Sequence, residues 1–180
     1  HFKEKLKTHL TKSYAVICIA FCFMSNSAFS AESNFQKYNS DLAEIENYLN
    51  NIKNLSASFI QESFDGSISE GNFFLSRPGK MRIEYVANPK VLIIVNGSVL
   101  SYTDTELEET SYISTNTTPA SFLTRKNISF SAKDVEITNI STKSNSINVS
   151  ITKKNRKEAG EFTLTFSKNP LRFTKMEVKN

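Results

Sequence analysis

The stretch Gly71-Asn72-Phe73-Phe74-Leu75-Ser76-Arg77-Pro78-Gly79-Lys80-Met81-Arg82-Ile83-Glu84-Tyr85 decides how this chain folds. Before Arg77, Phe73 and Leu75 share one face, with Asn72, Phe74 and Ser76 on the other, and Met81, Ile83 and Tyr85 alternate with Lys80, Arg82 and Glu84 after Gly79. A period of two marks strands with one buried face. Between them Pro78 fixes one backbone dihedral, and Gly79 is free to take the left-handed one that a tight turn needs. The centre of the chain is therefore read as two antiparallel strands joined by a basic turn.

The same period continues outward. Upstream, Leu55, Ala57 and Phe59 face one way and Ser56 and Ser58 the other, followed by the turn pair Asp65-Gly66. Downstream, strands are predicted at 91–95, 98–103 and 108–114, with Asn96-Gly97 as a two-residue hairpin turn. Four more are predicted at 135–141, 147–152, 161–166 and 171–178, where Phe162, Leu164 and Phe166 form an inward face. Two helices interrupt the pattern. From Asn34 to Asn54, Phe35, Tyr38, Leu42, Ile45, Leu49 and Ile52 recur at spacings of three and four, which makes one amphipathic helix ending at Asn54. Pro119-Ala120-Ser121-Phe122-Leu123 opens a short helix behind a capping Thr118. The architecture is helix, meander, short helix, meander, a mostly β member of the α+β class. A long antiparallel sheet of this kind curls and leaves an apolar concavity, and the long helix is the obvious plug.

Residues 1–30 have the three parts of a cleavable secretory signal. Lys3, Lys5, Lys7 and Lys12 form a basic start, an apolar run follows from Tyr14 to Met24, and Ala28-Phe29-Ser30 precedes Ala31. The run is shorter than the roughly 20 residues that span a bilayer. Residues 31–180 are then a single exported domain, expected to be soluble and monomeric. Cys18 and Cys22 leave with the signal, so no disulfide supports the fold. Ile17 and Phe21 precede those cysteines where a lipidation site needs a small residue.

The net charge of +4 comes from 22 basic and 18 acidic residues, and loss of Lys3, Lys5, Lys7, Lys12 and Glu4 leaves a nearly neutral chain. Nucleic acid is not expected as a partner. Lys153, Lys154, Arg156 and Lys157 read as a solvated hairpin turn. His1 and His9 are both in the signal, so no histidine remains for acid–base or metal chemistry. Asp104, Glu106, Glu108 and Glu109 lack the spacing of a calcium loop. No catalytic residue, metal or cofactor is expected, and the protein is read as a binding protein rather than an enzyme.

With Glu70-Gly71 before it and Ile83, Tyr85 and Pro89 after it, Arg77-Pro78-Gly79-Lys80 resembles the periplasmic outer-membrane lipoprotein carrier family, LolA. Leu55-Ser56-Ala57-Ser58-Phe59-Ile60-Gln61, Val95-Asn96-Gly97 leading to Leu100-Ser101-Tyr102, and Thr118-Pro119-Ala120-Ser121-Phe122-Leu123 are similar to that family in the same order. The resemblance implies a half-open, incomplete β-barrel lidded by the N-terminal and the short inserted helices. Its cavity would shield lipoprotein acyl chains on their way from the inner to the outer membrane. The partners implied are acylated lipoproteins, an inner-membrane ABC-type lipoprotein-releasing complex and, where one exists, an outer-membrane receptor.

Under this resemblance Arg77 is the latch that bonds lid-helix backbone, Pro119, Phe122 and Leu123 belong to the lid, and Met81 falls at a partner contact. The cavity lining is expected to be Leu42, Ile45, Leu49, Phe59, Phe73, Leu75, Ile83, Tyr85, Ile93, Leu100 and Tyr102. Ile83 and Leu100 stand where the family usually has tryptophan. The plain alternatives are an ordinary core for the apolar set and, for Arg77, a turn residue paired with Glu70 or Glu84. A non-catalytic lipoprotein-binding sensor, or an outer-membrane acceptor on the same fold, is the competing function.

Overall fold

The computed structural model describes residues 36–63, 65–87, 90–155 and 160–179. Residues 1–30, read above as a signal, and Phe35, Pro89, Arg156 and Lys157 lie outside the described residues. The chain divides at Lys37, and the fold below is that of the unit Tyr38–Asn180.

Helix α1 (Asn39–Asn51) buries Ile45 and Leu49, two members of the predicted stripe, and leaves Leu42 half-buried. It stops three residues before the expected Asn54, which instead opens the first strand. The last turn of a helix leaves carbonyls without partners. Here a cation from elsewhere in the fold takes them, and Ile52 leaves in extended geometry.

Ten strands follow. β1 (Asn54–Glu62), β2 (Ile68–Ser76), β3 (Lys80–Tyr85), β4 (Val91–Asn96), β5 (Val99–Asp104) and β6 (Glu109–Ser114) form a six-stranded antiparallel meander. β7 (Val135–Lys143), β8 (Ser146–Lys153), β9 (Glu161–Lys168) and β10 (Leu171–Lys179) form a four-stranded one. The predicted meanders are thus present, split into two sheets that do not close into a barrel. The break falls between β6 and β7, where a 3₁₀ turn (Thr115–Thr117) and helix α2 (Ala120–Leu123) intervene.

Two turn readings need correction. Asn96 is still paired, opposite Val99, so the two-residue loop is Gly97-Ser98, with Gly97 at φ 63°. Thr118 does not cap α2: its hydroxyl donates to the Thr115 carbonyl at 2.9 Å and closes the 3₁₀ turn. The acidic segment is a hairpin tip between β5 and β6. Asp104 Oδ1 accepts from the Glu106 and Leu107 amides, and Glu108 takes φ 55°.

The core of the four-stranded sheet is its inner face. Ile147, Val149, Ile151, Phe162, Leu164 and Phe166 are all 6% exposed or less. α1 covers one end, with Tyr48 edge-on to Phe166 at 6.2 Å and its hydroxyl accepting from the Phe173 amide. α2 covers the other, with Phe122 against Phe162 at 5.7 Å and Phe130 at 5.6 Å.

Candidate functional site

Strand register sorts the inner face of the six-stranded sheet into rows. Leu55, Leu75, Met81, Val95, Leu100 and Ile113 are paired across the strands as one row. Ala57, Phe73, Ile83, Ile93 and Tyr102 make the next, and Phe59, Gly71 and Tyr85 begin a third. Leu75, Met81, Val95 and Leu100 are buried together with Ala120 of α2. Phe73, Ile83 and Ile93 are only half-buried, Tyr102 is 44% exposed and Ile113 is 49% exposed. The result is an apolar face sealed in the middle of the row under α2, exposed at that row's β6 end, and only half-covered in the rows beyond.

The predicted lining residues thus come together on one face, apart from Leu42, Ile45 and Leu49, which are on α1. Met81, expected at a membrane-partner surface, is instead 7% exposed and packed beneath α2. Its place in the strand alternation puts it on the same face as Ile83 and Tyr85, and that face turns inward. Phe59 and Tyr85 stack edge to face at 5.3 Å. The Phe59 ring lies over Gly71, where no side chain competes for the space.

Arg77 stands in the loop between β2 and β3, which Gly79 closes at φ 83°. Its side chain is buried, and its Nε donates to the Ile52 carbonyl at 2.9 Å. Its Nη2 donates to the carbonyls of Leu49 and Ile52. α1 has no basic residue in its last turn, so a guanidinium from another element supplies the positive charge that a helix C-terminus favours. Lys53 adds a second cation, donating to the Asn50 carbonyl at 2.7 Å. Neither expected carboxylate partner of Arg77 is used by its side chain: Glu84 pairs with Arg82. Burial pushes the guanidinium below its ordinary value, and Nη1 is buried without a hydrogen-bond partner. A guanidinium remains charged even so.

The same loop holds α2. The Gly79 amide donates to the Thr124 carbonyl at 2.7 Å, and the Gly97 amide donates to the Gly79 carbonyl at 2.7 Å. Phe122 and Leu123 are 2% and 5% exposed, and Pro119 forms the half-buried entry to the helix. Arg125 anchors the exit, with its guanidinium 5.2 Å from the Phe122 ring centre and bonded to both carboxylate oxygens of Asp134. The crevice between α2 and the four-stranded sheet, bounded by Pro119, Phe122, Asp134, Ile151 and Phe162, holds about 20 Å³. That is room for about one water molecule, and none for an acyl chain.

Sequence reasoning missed the segment after α2. Ile128 and Phe130 are 3% and 5% exposed and bind α1 through Asn50 and Glu46. The only signal was the two apolar residues in a polar stretch.

The sequence profile described as outer membrane lipoprotein carrier protein LolA matches residues 50–180. An uncharacterized protein of Rickettsia prowazekii (strain Madrid E) is 29% identical over 163 residues, covering 91% of this chain and 71% of its own. The crystal structure of a LolA superfamily protein from Nitrosomonas europaea matches with a TM-score of 0.40 and 10% identity, covering 76% of this chain and 70% of that one. The family is a non-enzymatic, lipoprotein-binding one whose members are periplasmic. The chain belongs to the outer membrane lipoprotein carrier protein family, LolA.

Proposed function

We propose that this protein binds the acyl chains of lipoproteins against the inner face of its six-stranded sheet and carries them through the periplasm from the inner to the outer membrane. The observation that carries this reading is the graded inner face. It is a continuous apolar surface, buried under α2 at one row and half-open at the next, and the cover is held by a few polar bonds at one loop. An ordinary core has no need of a removable cover.

Magnitudes say why the cover matters. An acyl chain of about 15 methylenes leaving water gains roughly 12 kcal/mol. A soluble carrier must shield most of that surface, yet a rigid, fully complementary pocket would never release it. Filling the empty site with the protein's own apolar residues lowers the net gain, because cargo must displace α2, whose Ala120 packs on the buried row, before it binds. Arg77 then sets how readily the empty site recloses, and so favours release to the next acceptor.

Titration with a fluorescent fatty-acyl probe tests the site. Wild type binds the probe. Ile93→Glu puts a carboxylate in the middle of the half-open row, and binding falls at least tenfold while the folded circular-dichroism spectrum is kept. Equal binding by the two proteins would move the acyl site elsewhere.

A further inference from the structure

We infer that Glu46 and Asn50 are positioning residues that tie α1 to α2, so that the two helices leave the inner face as one lid. The proposal deepens the carrier reading and rests on it for its purpose. Its geometry is independent of that reading.

Arg77 bonds only α1 through its side chain, yet the apolar row is sealed by α2. Something must carry the state of one helix to the other. Asn50, in the last turn of α1, meets the backbone of Ile128 in both directions: its Nδ2 donates to the Ile128 carbonyl at 2.8 Å, and its Oδ1 accepts from the Ile128 amide at 2.8 Å. One side-chain amide thus stands in for a neighbouring strand. One turn earlier, Glu46 Oε1 accepts from the Phe130 amide at 2.6 Å and from the Ser129 hydroxyl at 3.0 Å.

Segment 128–130 is in turn fixed to α2, because the Phe130 ring packs on Phe122. Four hydrogen bonds therefore join α1 to a segment whose apolar residues are buried with the short helix. If α1 withdrew alone, it would break all four bonds together, two of them to a carboxylate, whereas moving with the segment keeps them. Arg77 at the end of α1 thereby controls a cover it does not touch.

Amide hydrogen exchange on the cargo-free protein reads this coupling, so a protein that failed to bind acyl chains would still give a result. The reporters are the Ile52 amide at the end of α1 and the Phe122 and Thr124 amides of α2, all hydrogen-bonded in the closed state. Arg77→Ala in the otherwise wild-type chain accelerates all three by a similar factor, about tenfold or more. In a Glu46→Ala/Asn50→Ala background, Arg77→Ala accelerates Ile52 and leaves the α2 amides within about twofold of that background. Glu46→Gln keeps the acceptor oxygen and keeps the coupling. Should the double variant not fold, Asn50→Asp, which keeps the acceptor for the Ile128 amide but turns a carboxylate oxygen toward the Ile128 carbonyl in place of the donor, weakens the coupling instead of abolishing it. Two results overturn the proposal. Either the α2 amides respond to Arg77→Ala equally in both backgrounds, which would route the coupling through the Gly79–Thr124 bond, or they do not respond in the wild-type background.

Discussion

Replacing Arg77 with leucine removes the bonds to the Leu49 and Ile52 carbonyls while keeping an apolar side chain in the buried site. Hydrogen bonds from a charged donor contribute about 1.5 to 3 kcal/mol each, so two carbonyls give about 3 to 6 kcal/mol. The buried, unpartnered Nη1 takes back about 1 to 3 kcal/mol, since that nitrogen has lost water without gaining an acceptor. The closed lid is therefore favoured by a net centred on about 2.5 kcal/mol, within a span of about 0 to 5, or roughly 70-fold in the closed-to-open ratio at the centre. Beside the acyl term this is small. Arg77→Leu should accordingly load cargo about as well as wild type and hand it over at least tenfold more slowly, because the empty site no longer recloses. The assay loads each protein with a lipidated peptide and follows transfer to acceptor vesicles. Transfer by Arg77→Leu at the wild-type rate would refute the reasoning. So would a defect in loading alone.

Three further outcomes follow from the packing. Phe122→Ala removes a ring that is 2% exposed and should cost about 3 to 5 kcal/mol of stability by thermal unfolding, while raising affinity for an acyl probe because α2 is then held less firmly over the buried row. A fall in both would make Phe122 plain core. Gly71→Ala places a Cβ against the Glu84 carbonyl and the Phe59 ring and should destabilise by about 1 to 3 kcal/mol. Adding Phe59→Ala should not restore stability, because the carbonyl stays; full rescue would show that the ring alone was in the way. Asp134 is held below the usual carboxylate value, first by its hydrogen bond to Arg125. Its contribution is present above the unfolded value of about 3.9 and is lost as pH falls through the folded one. Asp134→Asn should therefore flatten the acid limb of stability below about pH 4 by less than about 1 kcal/mol, since the pair is partly exposed. An unchanged acid limb would remove the pair from the account.

The strands were legible because alternation is local and each inner residue keeps its face through every hairpin. Phe73, Ile83 and Ile93 could be placed on one face from parity alone, and the register then set them in one row. How the strands divide into two sheets could not be read, since that depends on what replaces the partner of β6, and no pattern within β6 or β7 states it. The end of α1 was misplaced for a related reason. Apolar spacing continues to Ile52, but the carbonyls of the last turn are taken by Arg77, 25 or more residues away in sequence. The latch position of Arg77 came from resemblance to a family and not from its neighbours. Asn50 and Glu46 were invisible altogether: two polar residues on a helix look solvated until the backbone 78 and 84 residues later arrives beside them.

The most direct test of the central claim is release of lipoproteins from a membrane. Purified residues 31–180 are added to energised spheroplasts, and the soluble fraction is examined for lipid-modified proteins. The account predicts that they appear there in an equimolar complex with the protein. If the folded protein leaves every lipoprotein on the membrane, the inner face is not a carrier site, and a sensor on the same fold becomes the better reading.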